Sequence, residues 1–138
     1  MRDRVFLDSN IFLYAFNTDD DKIKQQKAAE TIMSDDYSYV ISIQVINEVS
    51  SNMLRKLSFV NSEVKEFVED SYMRYNIQNI TKNIFVSACD IRDKYNLSYY
   101  DSLIVSSAIN SDCKYLYSED MQSNQKIGNL TIINPFNN

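Results

Sequence analysis

The chain has 138 residues, enough for one compact core, and its 44% apolar and 24% charged residues are ordinary for a globular protein. It contains no histidine, which excludes Ser-His-Asp triads, histidine general bases and histidine-containing zinc sites. The net charge of −5 argues against a protein that coats nucleic acid electrostatically, although a carboxylate site for metal ions would itself add negative charge.

The N-terminus and the cysteines bear on where the protein works. Arg2 and Arg4 precede an apolar run, but Asp8 soon breaks that run and no small-residue cleavage site follows, so it does not resemble a secretory signal. No stretch reaches the roughly 18 uninterrupted apolar residues that a spanning helix needs. Cys89 and Cys113 lie in apolar surroundings without a metal-ligand spacing, and we interpret them as reduced core thiols. We therefore expect a cytoplasmic protein.

Predicted strands and helices alternate along the chain. Short apolar runs predict strands at residues 5–7, 37–41, 76–80, 115–117 and 131–133. Helical spacing of apolar residues and polar N-terminal residues predict helices at about 10–16, 19–34, 42–57, 62–75, 81–95 and 99–111. A parallel return between strands needs a crossover, so this alternation predicts a three-layer α/β/α fold with a small parallel central sheet. We expect residues 1–138 to form a single domain.

Carboxylates follow the predicted strands at the edge where α/β folds form their sites. Asp8 directly follows the first strand, and Asp120 comes shortly after the strand at residues 115–117. Glu48 lies in the first two turns of the helix after the second strand, and Asp101 lies near the start of an apolar helix. Four acids from four chain segments can therefore converge at one edge of the sheet.

Each acid also has a purely structural interpretation. Asp8 fits the N-cap of a helix, and Ser98 with Asp101 resembles a capping box. Glu48 lies off the apolar stripe of its helix, where a solvated residue is the default, and Asp120 lies in a polar loop typical of turn residues. These interpretations do not explain why all four acids fall where an α/β fold gathers its ligands.

A cluster of ionised carboxylates favours a bound cation, because neighbouring negative charges raise one another's pKa. Magnesium prefers oxygen ligands and keeps several waters, so a few carboxylates suffice to bind it. Two such ions about 4 Å apart can activate a water and stabilise the leaving oxygen of a phosphodiester. This chemistry needs no histidine.

Ordered motifs along the chain resemble the PIN-domain ribonuclease family. They are VFLDSNIFLY at residues 5–14, INEV at 46–49, YYDSLIVSSA at 99–108 and LYSEDMQ at 116–122. The ending LTIINPF at 130–136 is also similar to PIN members, so the resemblance runs nearly from end to end. The most similar branch is the VapC-type toxins of bacterial toxin–antitoxin pairs.

The resemblance implies a PIN fold and an endoribonuclease that depends on Mg²⁺ or Mn²⁺. It also implies a homodimer, and a cognate antitoxin that holds the enzyme inactive by placing a segment in the active-site groove. Carried over by position, the catalytic metal ligands, direct or through water, would be Asp8, Glu48, Asp101 and Asp120.

Three further positions follow from the same resemblance. Asn10 and Ser118 would orient carboxylates or metal-bound water. Many relatives carry another Asp two residues after the fourth acid, where this chain has Gln122. A second metal would therefore be held weakly or recruited only with the substrate.

Other functions fit the sequence less well. A phosphorylated receiver domain needs paired acids near its first strand, and an aspartyl phosphatase needs Asp-x-Asp where this chain has Asp8-Ser9-Asn10. A catalytically silent PIN interaction module and a housekeeping RNA-processing PIN nuclease remain as alternatives. Surface cations that could contact RNA, or serve only solvation, are Arg55, Lys56, Lys82, Arg92 and Lys126.

Overall fold

The structure is a computed structural model that describes residues 2–17 and 21–137. Its elements, in chain order, are β1 (Arg4–Leu7), α1 (Ser9–Phe16), α2 (Lys22–Met33), β2 (Ser38–Ser42), α3 (Ile43–Arg55), α4 (Asn61–Arg74), β3 (Asn76–Gln78), α5 (Lys82–Tyr95), α6 (Tyr99–Asn110), β4 (Tyr115–Tyr117), β5 (Lys126–Ile127) and β6 (Leu130–Ile133).

The strands form one six-stranded sheet in the order β3-β2-β1-β4-β6-β5. β1 lies inside the sheet and pairs in parallel with β2 and β4, and β3 and β6 extend the parallel pairing outward. β5 is antiparallel to β6, and the two-residue loop between them holds Gly128 at φ +61°. The expected parallel sheet is confirmed for five strands. β5 was not predicted, because a two-residue strand carries no measurable alternation.

Polar side chains fix where several helices begin. The hydroxyl of Ser42 accepts a hydrogen bond from the backbone N–H of Val45 at 3.3 Å and begins α3. Ser98 begins α6 in the same way, accepting from the N–H of Asp101 at 3.2 Å. At α2, the predicted start at Asp19 and Asp20 lies outside the described residues. Asp21 is the observed N-cap of that helix.

The core lies on both faces of β1, in which Val5, Phe6 and Leu7 are fully buried. Helices α1 to α4 pack in one connected group, while α5 and α6 pack against each other and α6 contacts β2 and β4. This arrangement confirms the expected three-layer α/β/α fold. Within the described residues, no helix combines the length and apolar character needed to cross a membrane.

The expectation for the cysteines is half wrong. Cys113 is buried, and burial raises the pKa of its thiol to about 12, but Cys89 is exposed. α5 buries only Ile84, Ala88 and Ile91. Successive helical residues are turned by about 100° from one another, so Cys89 faces away from this narrow buried stripe.

Candidate active site

Asp8 lies where β1 ends and α1 begins, and it is buried with a relative exposure of 5%. One carboxylate oxygen accepts a hydrogen bond from the backbone N–H of Ser9 at 2.7 Å, which makes Asp8 the N-cap of α1. The other accepts from the Ser118 hydroxyl at 2.8 Å, across 110 residues of sequence. The capping interpretation is therefore correct, yet the cap leaves the second oxygen for contacts at the sheet edge.

Burial raises the pKa of Asp8 from 3.8 to about 7. Hydrogen bonds from Ser118 and Ser9 act in the opposite direction, while the negative charges of Glu48 and Asp101 raise this pKa further. Ionising a carboxyl group in this position at neutral pH costs free energy, and a nearby cation would lower that free-energy cost.

Glu48 approaches Asp8 from α3 through a shared hydroxyl. The Ser9 hydroxyl donates to Glu48 Oε2 at 2.9 Å and lies 3.5 Å from Asp8 Oδ1. The side-chain amide of Gln44, one helical turn earlier, donates to Glu48 Oε1 at 2.8 Å. Both oxygens of Glu48 are thus held, and Ser9 links the two acids. Neither Ser9 nor Gln44 was predicted as a site residue.

Asp101 and Asp120 lie on two further segments of the chain. Asp101 lies half-buried in the first turn of α6, and Asp120 is exposed in the loop after β4. Burial raises the pKa of Asp101, the Ser98 hydroxyl lowers it, and the charges of Asp120 and Glu48 raise it again. The charges of Glu48 and Asp101 thus act on Asp8, and those of Asp120 and Glu48 act on Asp101, so the four predicted acids form one electrostatically coupled group.

The coupled group is open. Across residues 2–17 and 21–137, no three Asp, Glu or Cys side chains are arranged so that they could hold a metal ion as they stand. Ser118 makes a direct hydrogen bond to a carboxylate, as its expected role requires. Asn10 does not: the oxygen and the nitrogen of its side-chain amide are buried without a hydrogen-bond partner in the described part of the chain.

Glu119, between Ser118 and Asp120, anchors the acidic loop to the helices. Its carboxylate accepts a hydrogen bond from the Tyr14 hydroxyl and forms an ion pair with Lys24. The Lys24 ammonium also lies 4.2 Å from the centroid of the Tyr14 ring. Burial opposes ionisation of Glu119, but the hydrogen bonds from Lys24 and Tyr14 outweigh it, and the pKa of Glu119 is lowered. This contact could not be predicted from the sequence, because its partners lie far along the chain, on α1 and α2.

The sequence matches the PIN domain family over residues 5–126. This chain belongs to the PIN domain family. The family resemblance found in the sequence motifs is thereby confirmed. No curated protein matches the sequence.

Solved structures share the PIN fold at low sequence identity. A toxin–antitoxin complex from Klebsiella pneumoniae is 17% identical, with a TM-score of 0.72 over 96% of this chain and 98% of that one. VapC20 of Mycobacterium tuberculosis, a toxin that cleaves the sarcin–ricin loop, is 13% identical, with a TM-score of 0.68 over 83% and 88%. VapBC2 of Rickettsia felis, bound to a DNA fragment from its promoter, is 18% identical, with a TM-score of 0.65 over 94% and 96%.

Proposed function

We propose that residues 1–138 form one PIN domain that acts in the cytoplasm as an endoribonuclease dependent on Mg²⁺ or Mn²⁺. The observation that carries the proposal is the coupled group of four acids at the carboxyl edge of the sheet, in a chain without histidine. Two of these carboxyl groups, Asp8 and Asp101, have raised pKa values, and carboxylates gathered in this way are typical of functional sites.

The donor set fits a hard divalent cation. It offers only oxygen ligands, and magnesium retains several of its waters, so an open group of carboxylates can hold the ion partly through water. When bound, the cation would supply a polarised water and stabilise the charge that develops on the phosphodiester.

Side chains of this protein would hold the cation and orient the carboxylates. Asp8, at the end of β1, and Asp101, in the first turn of α6, would hold the cation. Ser118 and Ser9 would fix the carboxylate oxygens of Asp8 and Glu48 through the hydrogen bonds they already donate. Gln122 stands where an additional acid would strengthen a second cation position, so that position would depend on the substrate.

Metal dependence is the direct test. Purified protein is incubated with single-stranded RNA, and separately with single-stranded DNA of the same sequence, in Mg²⁺, in Mn²⁺ and in EDTA. We expect cleavage of RNA in either metal and none in EDTA. Full RNA cleavage in the chelator would contradict the proposed chemistry, and equal cleavage of DNA would contradict the proposed substrate.

We further propose that the protein is the toxin of a type II toxin–antitoxin system. The toxin and toxin–antitoxin structures that share its fold over most of both chains support this role. The test is to express the chain alone and together with its upstream neighbouring gene in the same host. We expect growth arrest that the neighbour relieves. Harmless overexpression of soluble, active protein would favour the RNA-processing enzyme instead.

The proposed antitoxin would reach the acidic group with a basic side chain. An Arg or Lys could pair with these carboxylates and occupy the cation position at the same time, so inhibition would be direct competition. Binding of the antitoxin should then weaken as the Mg²⁺ concentration rises, and also when Asp8 or Asp120 is replaced by Asn. Antitoxin affinity that responds to neither change would contradict this mode of inhibition.

The toxin proposal includes a homodimer. Exposed apolar side chains available for contact with a second copy include Ile43 and Leu54 on α3 and Phe85 and Val86 on α5. Burying such side chains is the main favourable contribution to association. Light scattering should give a dimer mass at micromolar concentration, and a monomer mass over that range would contradict the proposal.

A further inference from the structure

We infer that Tyr99 and Tyr100 form a stacking surface for unpaired RNA bases beside the carboxylate group, with Arg92 as its phosphate-binding cation. This inference rests on the proposed ribonuclease function and specifies how the substrate would be held. We call Arg92, Tyr99 and Tyr100 the tyrosine platform.

The exposure of the two rings is the first observation. Tyr99 is 50% and Tyr100 is 64% exposed, and their rings meet edge to face with centroids 5.2 Å apart. The same helix is buried without a break from Ser102 to Ala108. Large aromatic side chains contribute most to stability when they are buried, so two adjacent exposed rings at the open end of a buried helix indicate a binding surface.

The position of the platform is the second observation. Tyr100 directly precedes Asp101, and consecutive Cα atoms are about 3.8 Å apart. The charge of Asp101 is in turn coupled to those of Glu48 and Asp120. A base stacked on the platform would therefore have its own backbone close to the carboxylate group, where the proposed cleavage takes place.

Arg92 is the third observation. Its guanidinium donates to the Ser102 hydroxyl at 2.9 Å and to the Cys89 sulfur at 3.4 Å. Its carbon Cζ lies 5.2 Å from the centroid of the Tyr99 ring, a cation–π contact that also steadies the ring. No ion pair within 4.0 Å engages Arg92 among the described residues. Its charge is thus held in place by neutral partners and remains available for a phosphate.

These features favour RNA over a protein as the occupant. Bases stack on aromatic rings whatever their sequence, and single-stranded sites combine such rings with cations that bind the backbone. Bases within a duplex are already stacked, so the platform should select single-stranded RNA.

The test combines kinetics with a spectroscopic signal. Tyr99→Ala and Tyr100→Ala should each raise KM for single-stranded RNA about 10-fold and change kcat much less, while Tyr100→Phe should restore the wild-type KM. Tyr72→Ala is the matched control, because Tyr72 is 54% exposed on α4, outside the platform. The chain has no tryptophan, so Tyr100→Trp introduces a single tryptophan, whose fluorescence can be excited selectively over that of the tyrosines. Single-stranded RNA should quench it, and the same sequence as a duplex should not.

The outcomes separate the two proposals. If wild-type protein cleaves RNA but both alanine variants keep its KM, the platform is wrong and the ribonuclease stands. If wild-type protein neither cleaves nor binds RNA, the proposed function itself fails. Conversion of a dimer to a monomer by Tyr99→Ala or Tyr100→Ala would show a protein interface and overturn the platform. Circular dichroism of each variant verifies that the fold is kept.

Discussion

The two edges of the sheet each gather several charged side chains, but they hold those side chains differently. The carboxyl edge holds the four acids, while the amino edge opens into a cavity of about 570 Å³ whose lining includes Arg2, Arg4 and Arg74 together with Asp35. The acids Asp8 and Glu48 are held by hydrogen bonds from neighbouring hydroxyl and amide groups.

The arginines at the amino edge lack such support. Within residues 2–17 and 21–137, none of the three forms an ion pair within 4.0 Å, and the buried Nε of Arg4 has no hydrogen-bond partner. A cluster of like charges is therefore not enough to define a site. What distinguishes the carboxyl edge is that partners from several elements fix the orientation of its charged groups, as catalysis and metal binding require.

The largest expected effect is at the carboxyl edge. Asp8→Asn and Asp101→Asn keep the side-chain volume but remove a ligand charge, and RNA cleavage in Mg²⁺ should fall by at least about 100-fold, more than for loss of an orienting partner. Asp70→Asn is the matched control, because Asp70 is exposed on α4. Near wild-type cleavage by the Asp8 and Asp101 variants would show that the site is assigned to the wrong residues.

Removing the support without removing an acid should have an intermediate effect. Ser118→Ala deletes the donor to Asp8, and Ser9→Ala deletes the donor to Glu48. Each should lower kcat about 10- to 100-fold and weaken metal binding, because the carboxylates lose their fixed orientation. Calorimetric titration with Mn²⁺ measures the second effect independently of activity. Unchanged affinity and rate would mean that hydrogen-bonded support does not distinguish the two edges.

The stability of the metal-free protein should depend on pH through Asp8. Its pKa is raised from 3.8 to about 7, so between these values the folded state binds more protons than the unfolded state. Stability should therefore fall as pH rises from about 4 to about 7 and then level off. At about 1.4 kcal/mol per pKa unit, the loss amounts to about 4 kcal/mol at most.

Asp8→Asn should remove this loss of stability, because the Asn side chain does not titrate. Asn also caps helices well, so the variant should be more stable than wild type at pH 8 in EDTA. Urea unfolding across the pH range measures both curves. A wild-type stability that does not change between pH 4 and 8 would contradict the raised pKa. Added Mg²⁺ should stabilise the wild type at pH 8 and affect the variant less.

The smallest effect is expected at the amino edge. Arg4 and Asp8 are separated by the length of β1, about 13 Å, which exceeds the Debye length of about 8 Å at physiological ionic strength. Replacing Arg74, which is exposed, with Ala should therefore leave RNA cleavage within about 2-fold of wild type. A loss as large as that of the serine variants would show that the amino edge takes part in the reaction.

The local parts of this design could be predicted from the sequence. Hydroxyl caps such as Ser42 and Ser98 mark helix starts, and short apolar runs mark the parallel strands. The order of helices and strands along the chain could therefore be predicted. Asp8 could be placed at the sheet edge because its strand is short and fully apolar. The other three acids could be placed at the same edge, because parallel strands point their carboxyl ends in one direction.

The parts that depend on tertiary contacts could not be predicted. Ser9 bridges two acids, but in the sequence it is one more polar residue at a helix start. Glu119 finds its partners on α1 and α2, about 100 residues earlier, which no local pattern reports. Whether Cys89 is buried depended on the width of the packed stripe of α5, and the sequence around it suggested a wider one.

The central place of β1 has a consequence for synthesis on the ribosome. β1 is made before β4, yet β4 is one of its two neighbours in the sheet, and the hydroxyl that holds Asp8 belongs to Ser118. At translation rates of about 5 to 20 residues per second, the intervening 110 residues take roughly 5 to 20 s to appear. Asp8 therefore leaves the ribosome well before the residue that holds it, and a nascent chain that ends before β4 cannot yet form this hydrogen bond.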